Sequence, residues 1–331
     1  MDRWCNYSDY LIDRYGHRVY RVGIDGGFTC PNRGPDGRGG CIYCDAKGSS
    51  AVYQRQDEQG FSRDSTFMAS IDAQTDTSRP KTLAERKASI DRQVARGNRF
   101  IESRYGAAAR SIYFQAFTST YDELETLRQL YDHALQSGSY TEFIVSTRPD
   151  CLSDEVIDLL ASYHRVVDRV WVEVGLQSGN DSTLSWIGRN HTVADYESAV
   201  ERLHAVRIAV SSHVILGFPQ EHDPEITRTA QTICRSKPEA LKIHNLHVVA
   251  GTRLYELYRQ DPFPISTREE HVRNTIFLLR RIPADTVIQR FISDTPGHRL
   301  AAPRDFGDKN QFLKDLRDEM ERQDVYQGDL L

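Results

Sequence analysis

Thr29-Cys30-Pro31-Asn32-Arg33-Gly34-Pro35-Asp36-Gly37-Arg38-Gly39-Gly40-Cys41-Ile42-Tyr43-Cys44 is the stretch from which the rest of this 331-residue chain can be read. Three cysteines are spaced C-x10-C-x2-C in a glycine-rich loop, with a tyrosine before the last. Three thiolates are one short of a tetrahedral set. A cubane iron–sulfur cluster held by three cysteines keeps one iron open to an outside ligand. A structural zinc wants a fourth protein ligand, a place Cys5 would have to fill. The count leans toward a reactive centre and leaves a zinc clip as the alternative.

Working outward, Val19 to Ile24 alternates loosely and reads as a first strand that runs straight into the cysteine loop. Residues 48–81 are polar and form a long excursion, a length of loop that is uncommon in a compact domain and often functional. Thr82 to Arg104 reads as a helix opened by a Thr82/Glu85 capping box. A regular alternation follows. Strands are expected at Ser111 to Phe117, Glu142 to Ser146, Arg169 to Gly175, Ile208 to Leu216, Ala240 to Val249 and Thr286 to Ile292. Helices are expected at Asp122 to Gln136, Ser153 to His164, Val193 to Val206, Pro224 to Arg235 and Arg268 to Arg281. Short β-branched runs alternating with helices predict parallel βαβ units and a full or partial (β/α) barrel. A doubly wound sheet is the competing fold, but no Gly-x-Gly-x-x-Gly follows any strand. The charged segment Asp308 to Gln323 has a helical period and reads as a solvated capping helix.

Composition narrows the function classes. With 39% hydrophobic and 27% charged residues, the chain can bury a sizeable α/β core. A formal net charge of −5 excludes a global basic field for nucleic acid, leaving a local face at Arg92, Arg96, Arg99, Arg104 and Arg110. No run of about 18 apolar residues exists, so no membrane span is expected. Met1-Asp2-Arg3-Trp4-Cys5 lacks the apolar core of a signal peptide. The six cysteines (Cys5, Cys30, Cys41, Cys44, Cys151, Cys234) are too few for a disulfide framework in this length, so a reducing, cytoplasmic setting is expected. Cys151 and Cys234 read as small residues at element ends.

In a barrel, functional groups gather at the C-terminal strand ends. The cysteine loop lies there. So do Gln115 with Thr118-Ser119-Thr120, Ser146-Thr147-Arg148-Pro149-Asp150, Glu173, Gln177-Ser178, His213, Lys242-x-His244-x-x-His247 and Gln289-Arg290. Polar groups in β-rich runs are costly unless paired or liganded. His244 and His247 read as satisfied barrel histidines. Tyr7, Tyr10, Tyr15 and Tyr20 read as packing, since no basic stripe accompanies them for base stacking.

At these residues the chain resembles the radical S-adenosylmethionine (SAM) enzymes, and within them the YhcC/YtqA-type family. The resemblance rests on Arg14-Tyr15-Gly16, Thr29 to Arg33, Gly39 to Cys44, Tyr113 to Tyr121, Ser146 to Asp150, Trp171 to Ser178, His213 to Pro219, Ala302-Pro303-Arg304 and Lys309. A wider likeness to the Elongator catalytic subunit is carried by Leu241 to His244 and Gly251 to Leu257, without that protein's acetyltransferase domain.

The resemblance implies a partial (β/α)6-type barrel over 19–295, with a cluster loop at 26–50, the polar excursion 48–81, an N-terminal extension 1–18 and a C-terminal helical extension 296–331. It implies a [4Fe–4S] cluster on Cys30, Cys41 and Cys44, with SAM on the open iron. It further implies reductive cleavage of SAM to a 5′-deoxyadenosyl radical, with electrons from a donor such as flavodoxin or ferredoxin. Tyr43 corresponds to the aromatic near the SAM adenine. Thr118 stands on the segment that meets the methionine end. Gln177 and Arg189 match SAM contacts of coproporphyrinogen-oxidase relatives, although Gly188-Arg189-Asn190-His191 replaces the more usual Asn-Arg-Gly-His. Ser146 stands where many relatives carry glutamate, and His213 where some carry aspartate. Arg148 and Glu173 complete the expected cofactor-binding set, and no catalytic side chain beyond the cluster is assigned. The substrate implied by the Elongator likeness is a tRNA wobble-uridine side chain. The alternatives are a small metabolite or tetrapyrrole and, outside catalysis, a zinc-clipped binding module.

Overall fold

The computed structural model describes residues 3–34, 39–45, 54, 66–68 and 81–331. The greater part of the expected polar excursion therefore lies outside the described residues. Among the described residues, nine strands run in chain order as β1 (Val19–Ile24), β2 (Ala109–Phe114), β3 (Glu142–Thr147), β4 (Arg169–Gln177), β5 (Ala209–Leu216), β6 (Ala240–Asn245), β7 (Val248–Val249), β8 (Val287–Arg290) and β9 (Leu300–Ala302). Seven form one parallel sheet in the order β1-β2-β3-β4-β5-β6-β8, while β7 and β9 make a separate antiparallel pair. The sheet curls into a half-barrel. On a flat sheet β2 and β6 would stand about 19 Å apart, yet the Tyr113 hydroxyl on β2 lies 3.4 Å from Lys242 Nζ on β6.

Helices cross over between the parallel strands, as such pairing requires. They are α2 (Leu83–Tyr105), α3 (Leu124–Gln136), α4 (Asp154–Ser162), α5 (Asp181–Trp186), α6 (Val193–Ala205), α7 (Asp223–Ser236), α8 (Arg253–Gln260) and α9 (Arg268–Leu279), with α1 (Tyr7–Tyr15) and α10 (Lys309–Gln323) at the two ends. The main core lies between sheet and helices, where Ile112, Phe114, Phe143, Val172 and Ile243 meet Leu127, Tyr131, Leu160 and Ile233. The Thr82/Glu85 capping box opens α2 as expected. The concave face has its own small core of Tyr113, Ile144, Trp171, Ala209, Ala240 and Val287, against which Tyr7 and Tyr10 of α1 pack.

Three expectations are corrected. The second strand stops at Phe114 instead of Phe117, because Phe117 takes a left-handed φ of 56° and turns the chain over the rim. The run Ala240 to Val249 is two strands. Leu246 N–H bonds to Leu216 O at 3.0 Å and Asn245 Oδ1 accepts from Ser293 N–H at 2.9 Å, which breaks the ladder between them. Segment 308–323 is not merely solvated, since α10 buries Phe312, Leu316 and Met320.

Candidate functional site

The cysteine loop is held in shape by its own backbone. Arg33 N–H bonds to Cys30 O and Cys44 N–H to Cys41 O, both at 2.9 Å, and Gly40 N–H bonds to Asn32 O at 2.7 Å. That last closure needs left-handed backbone at Gly39 (φ 89°) and Gly40 (φ 100°), which a side chain would strain. The loop is docked on the rim through Ile42, whose N–H reaches Ile187 O at 3.0 Å and whose carbonyl accepts from Leu254 N–H at 2.7 Å. Thr118 contributes its N–H to Thr29 O at 3.2 Å, tying the turn after β2 to the same loop.

Nitrogen donors face the sulfurs. Arg33 Nη2 lies 3.2 Å from Cys44 Sγ, Arg189 Nη1 3.7 Å from Cys41 Sγ, and Asn32 Nδ2 3.6 Å from Cys41 Sγ. Burial pushes the Cys44 thiol up, and Arg33 works against it. Tyr43 lies close enough to Cys41, Cys44, Arg189 and Arg148 to feel their charge, and burial raises its hydroxyl.

Arg189 is the most constrained of these cations. Its Nε donates to His191 Nε2 at 2.9 Å and its Nη2 to Gly175 O at 3.1 Å. Burial and the Arg189 charge pull His191 down to about 4, so at neutral pH it is uncharged and its Nε2 can accept. The Arg189 carbonyl is in turn held by Arg148 Nη2 at 2.7 Å, while Arg148 makes a bidentate pair with Asp150 at 2.9 and 2.8 Å. Gly175 keeps the space open. A Cβ there would stand 2.3 Å from Arg189 Nη2 and 2.5 Å from Gln177 Nε2. Gln177 has a left-handed φ of 70° at an irregularity between β4 and β5, a strained arrangement of the kind that redirects a side chain.

Below this rim lies a charged knot inside the half-barrel. The buried Glu173 carboxylate accepts from Arg21 Nη1 at 2.8 Å, Lys242 Nζ at 2.5 Å, His213 Nε2 at 3.1 Å, Ser146 Oγ at 3.3 Å and the Tyr113 hydroxyl. Burial alone would raise this carboxyl, but Lys242 and Arg21 hold it well below the usual range.

The structure thus divides the expected residues into two groups. Cys30, Cys41, Cys44, Tyr43, Thr118, Arg148, Gln177 and Arg189 share the rim. Ser146, Glu173 and His213 lie deeper and are engaged with one another. Asn32, Arg33, His191, Gly175 and Arg21 lie outside the expected site residues, and Lys242 is expected only as a polar group at a strand end. Asn32 and Arg33 stood inside the cysteine motif, and His191 two positions past Arg189. A charged residue within the first strand was the only mark of Arg21.

The donor chemistry suits an iron–sulfur cluster, with three soft thiols and N–H groups aimed at two of the sulfurs, a feature that tunes such clusters. Among the described residues no three His, Cys, Asp or Glu gather as ligands of a single ion. Residues 30–233 match the Radical SAM superfamily and 238–322 the Radical_SAM C-terminal domain. The chain belongs to the radical SAM superfamily. Its cofactors are accordingly a [4Fe–4S] cluster and SAM, and like other radical SAM enzymes it needs a reductant. The uncharacterized protein YtqA of Bacillus subtilis (strain 168) is 30% identical over 327 residues, 98% of this chain and 92% of that one. The tRNA-2-methylthio-N(6)-dimethylallyladenosine synthase of Hahella chejuensis (strain KCTC 2396) is 38% identical over 90 residues, 27% of this radical SAM chain and 20% of the synthase. Among solved structures, the archaeal Methanocaldococcus infernus Elp3 with its N-terminus deleted superposes with a TM-score of 0.63 at 19% identity, over 73% of this chain and 60% of that one. At that identity the likeness is one of fold.

Proposed function

We propose that Cys30, Cys41 and Cys44 hold the cluster of this radical SAM enzyme, and that its substrate is the side chain of a modified uridine in tRNA. The convergence of Arg33 and Arg189 on two of the three thiols carries the first part. Bound together and reduced, the cluster and SAM supply a 5′-deoxyadenosyl radical that takes a hydrogen atom from carbon. The residues of the chain bind and shield. Arg33 and Arg189 offset the negative charge that deprotonated thiols bring into a half-buried loop. Arg189, locked by neutral His191 and the Gly175 carbonyl, presents its remaining N–H groups to the SAM carboxylate beside Gln177. Arg148 holds the Arg189 backbone, Tyr43 would meet the adenine, and Thr118 would stand toward the methionine end. Ser146, Glu173 and His213 would line the cofactor site from beneath the rim.

The tRNA reading is supported by the 90-residue similarity to a tRNA-modifying synthase. The outer face of α2 adds to it, exposing Arg92, Arg99 and Arg104 with Phe100 and Tyr105, cations and aromatics interleaved as nucleic-acid surfaces require. The net charge of −5 favours a small metabolite as the second reading. A flavodoxin or ferredoxin is the proposed electron donor. The proposed setting is the cytoplasm, consistent with six unpaired thiols; no helix among the described residues is long and apolar enough to cross a membrane.

Anaerobic reconstitution with iron and sulfide should give a brown protein, and Cys41→Ala should lose the colour and SAM cleavage while keeping its helical circular dichroism. Nucleoside mass spectrometry of tRNA from a strain lacking the gene should show an altered wobble uridine. An unchanged profile would remove tRNA and leave the metabolite reading.

A further inference from the structure

Late in the chain, residues 296–304 return to the cysteine loop as a tight hook. Arg299 N–H and Leu300 N–H both bond to Pro296 O, at 3.0 and 3.2 Å, and Arg304 Nη1 donates to Gly297 O and Leu300 O, each at 2.8 Å. The hook is tied to its surroundings on two sides. Ala250 N–H bonds to Arg299 O at 2.8 Å, beside the β7–β9 pair, and Met68 N–H bonds to His298 O at 2.8 Å. Ala302 of β9 shares a small apolar core with Ile42, Val248 and Leu254. The backbone that carries Arg299 is thus fixed independently of its side chain.

That side chain is 2% exposed, and its Nη1 donates to Asp45 Oδ2, on the residue that follows Cys44. The two partners are 254 residues apart, so no local geometry brings them together. The Asp45 side chain is itself only 16% exposed. Removing a guanidinium and a carboxylate from water commonly costs as much as their attraction returns, so such a pair is a poor device for stability alone. Nor does the loop need it for docking, since Ile42 already seats the loop through Ile187 O, Leu254 N–H and the apolar core. Its charge is the feature left to explain. Arg33 Nη2 faces Cys44 Sγ and Arg189 Nη1 faces Cys41 Sγ, so cations already oppose two of the thiols. Asp45 brings a further negative charge to the same loop, and Arg299 opposes that one. The potential of an iron–sulfur cluster follows the net charge around it. A bare carboxylate beside it would resist the incoming electron, and a bare cation would favour it.

We propose that Arg299 is a positioning residue for the iron–sulfur centre: by fixing and neutralising Asp45 it sets the reduction potential from the Cys44 side of the loop. The C-terminal hook then does more than close the fold, because it carries the cation that lets an acidic residue follow a cluster ligand. The proposal rests on the assignment of Cys44 as a ligand made above, and it is independent of what the substrate is.

The test is a redox titration of the reconstituted holoenzyme, read by electron paramagnetic resonance of the reduced cluster, on wild type, Arg299→Met, Asp45→Asn and the double variant. Arg299→Met leaves the Asp45 charge unopposed and should make reduction about tenfold less favourable, a fall of about 59 mV for a one-electron couple. Asp45→Asn leaves the Arg299 charge unopposed and should raise the potential by about as much. The double variant should return to within about twofold of the wild-type equilibrium, and Arg299→Lys, which keeps the charge, should stay near it. A merely loosened loop would move both single variants the same way, so the opposite signs separate charge from support. Should Arg299→Met take up no cluster, Asp45→Asn, at a half-buried position, and Arg299→Lys still decide the sign. Single variants that shift together, or an Asp45→Asn potential equal to wild type, would overturn the proposal. Opposite shifts in a protein whose Cys41→Ala variant keeps its cluster would uphold it and sink the ligand assignment instead.

Discussion

Glu142 and Glu173 stand on neighbouring strands of the same half-barrel, point into the same interior and are both buried, yet their surroundings differ in kind. Glu142, near the floor, accepts from neutral groups: Tyr15 OH at 3.0 Å, Trp171 Nε1 at 3.0 Å and Tyr7 OH at 3.5 Å. Glu173, nearer the cysteine rim, is gripped by Arg21 and Lys242. Tyr7 joins the two layers by also accepting from Arg21 Nη2 at 3.1 Å. The floor is polar, with its carboxylate wrapped in phenols and an indole. The upper layer gathers charges of both signs where a substrate must enter. A floor only has to seal, whereas a binding surface needs charges already fixed in place.

Removing each carboxylate is the sharpest way to break this contrast. Glu173→Gln strands Arg21 and Lys242 in the interior and should cost about 3–5 kcal/mol in urea unfolding, against about 1–3 kcal/mol for Glu142→Gln, whose donors are neutral. Equal losses would end the distinction. Acid should reveal Glu173 as well. Its folded carboxyl titrates below the usual 4.5, so its stabilisation is complete above that pH and is lost as pH falls through the lower folded value.

His191 offers a third solution, burial without charge. Its pKa falls from 6.5 unfolded to about 4 folded. Between those values the unfolded chain binds a proton that the native state refuses, so stability should fall by about 3 kcal/mol as pH drops from 6.5 to 4. Melting curves of wild type and His191→Gln across that range should converge in acid. Parallel curves would show that His191 does not carry the effect.

Gly175→Ala should cost only about 1 kcal/mol in stability, because the atoms it meets are the ends of flexible side chains. It should nonetheless weaken SAM binding by about tenfold if Arg189 and Gln177 are displaced. Least of all, Tyr15→Phe removes one neutral donor from Glu142 and should cost about 1 kcal/mol with SAM cleavage unchanged.

The parallel strands were legible because their β-branched runs sit between helices with clear caps, as at Thr82 and Thr192. The thiols and Arg189 were legible through motif spacing. The pairing of Arg21 with Glu173 was not, because 152 residues separate them and only the curl of the sheet brings them together. The split of Ala240 to Val249 was hidden for the same reason, since β7 finds its partner in β9 some fifty residues later. Helix α1 was passed over because its tyrosines and aspartates average to a polar segment, although Asn6 and Gly16 are sound caps.

The segment before α1 has one more consequence. Asn6 bridges to Ile288, with Ile288 N–H on Cys5 O at 2.8 Å, and Gln327 ties the same segment to the far end of the chain through Cys5 N–H and Arg3 O. An open sheet edge is an invitation to foreign strands. At β8 that invitation is already answered from within, so a stranger chain seeking to extend the sheet there would first have to peel away the protein's own opening residues.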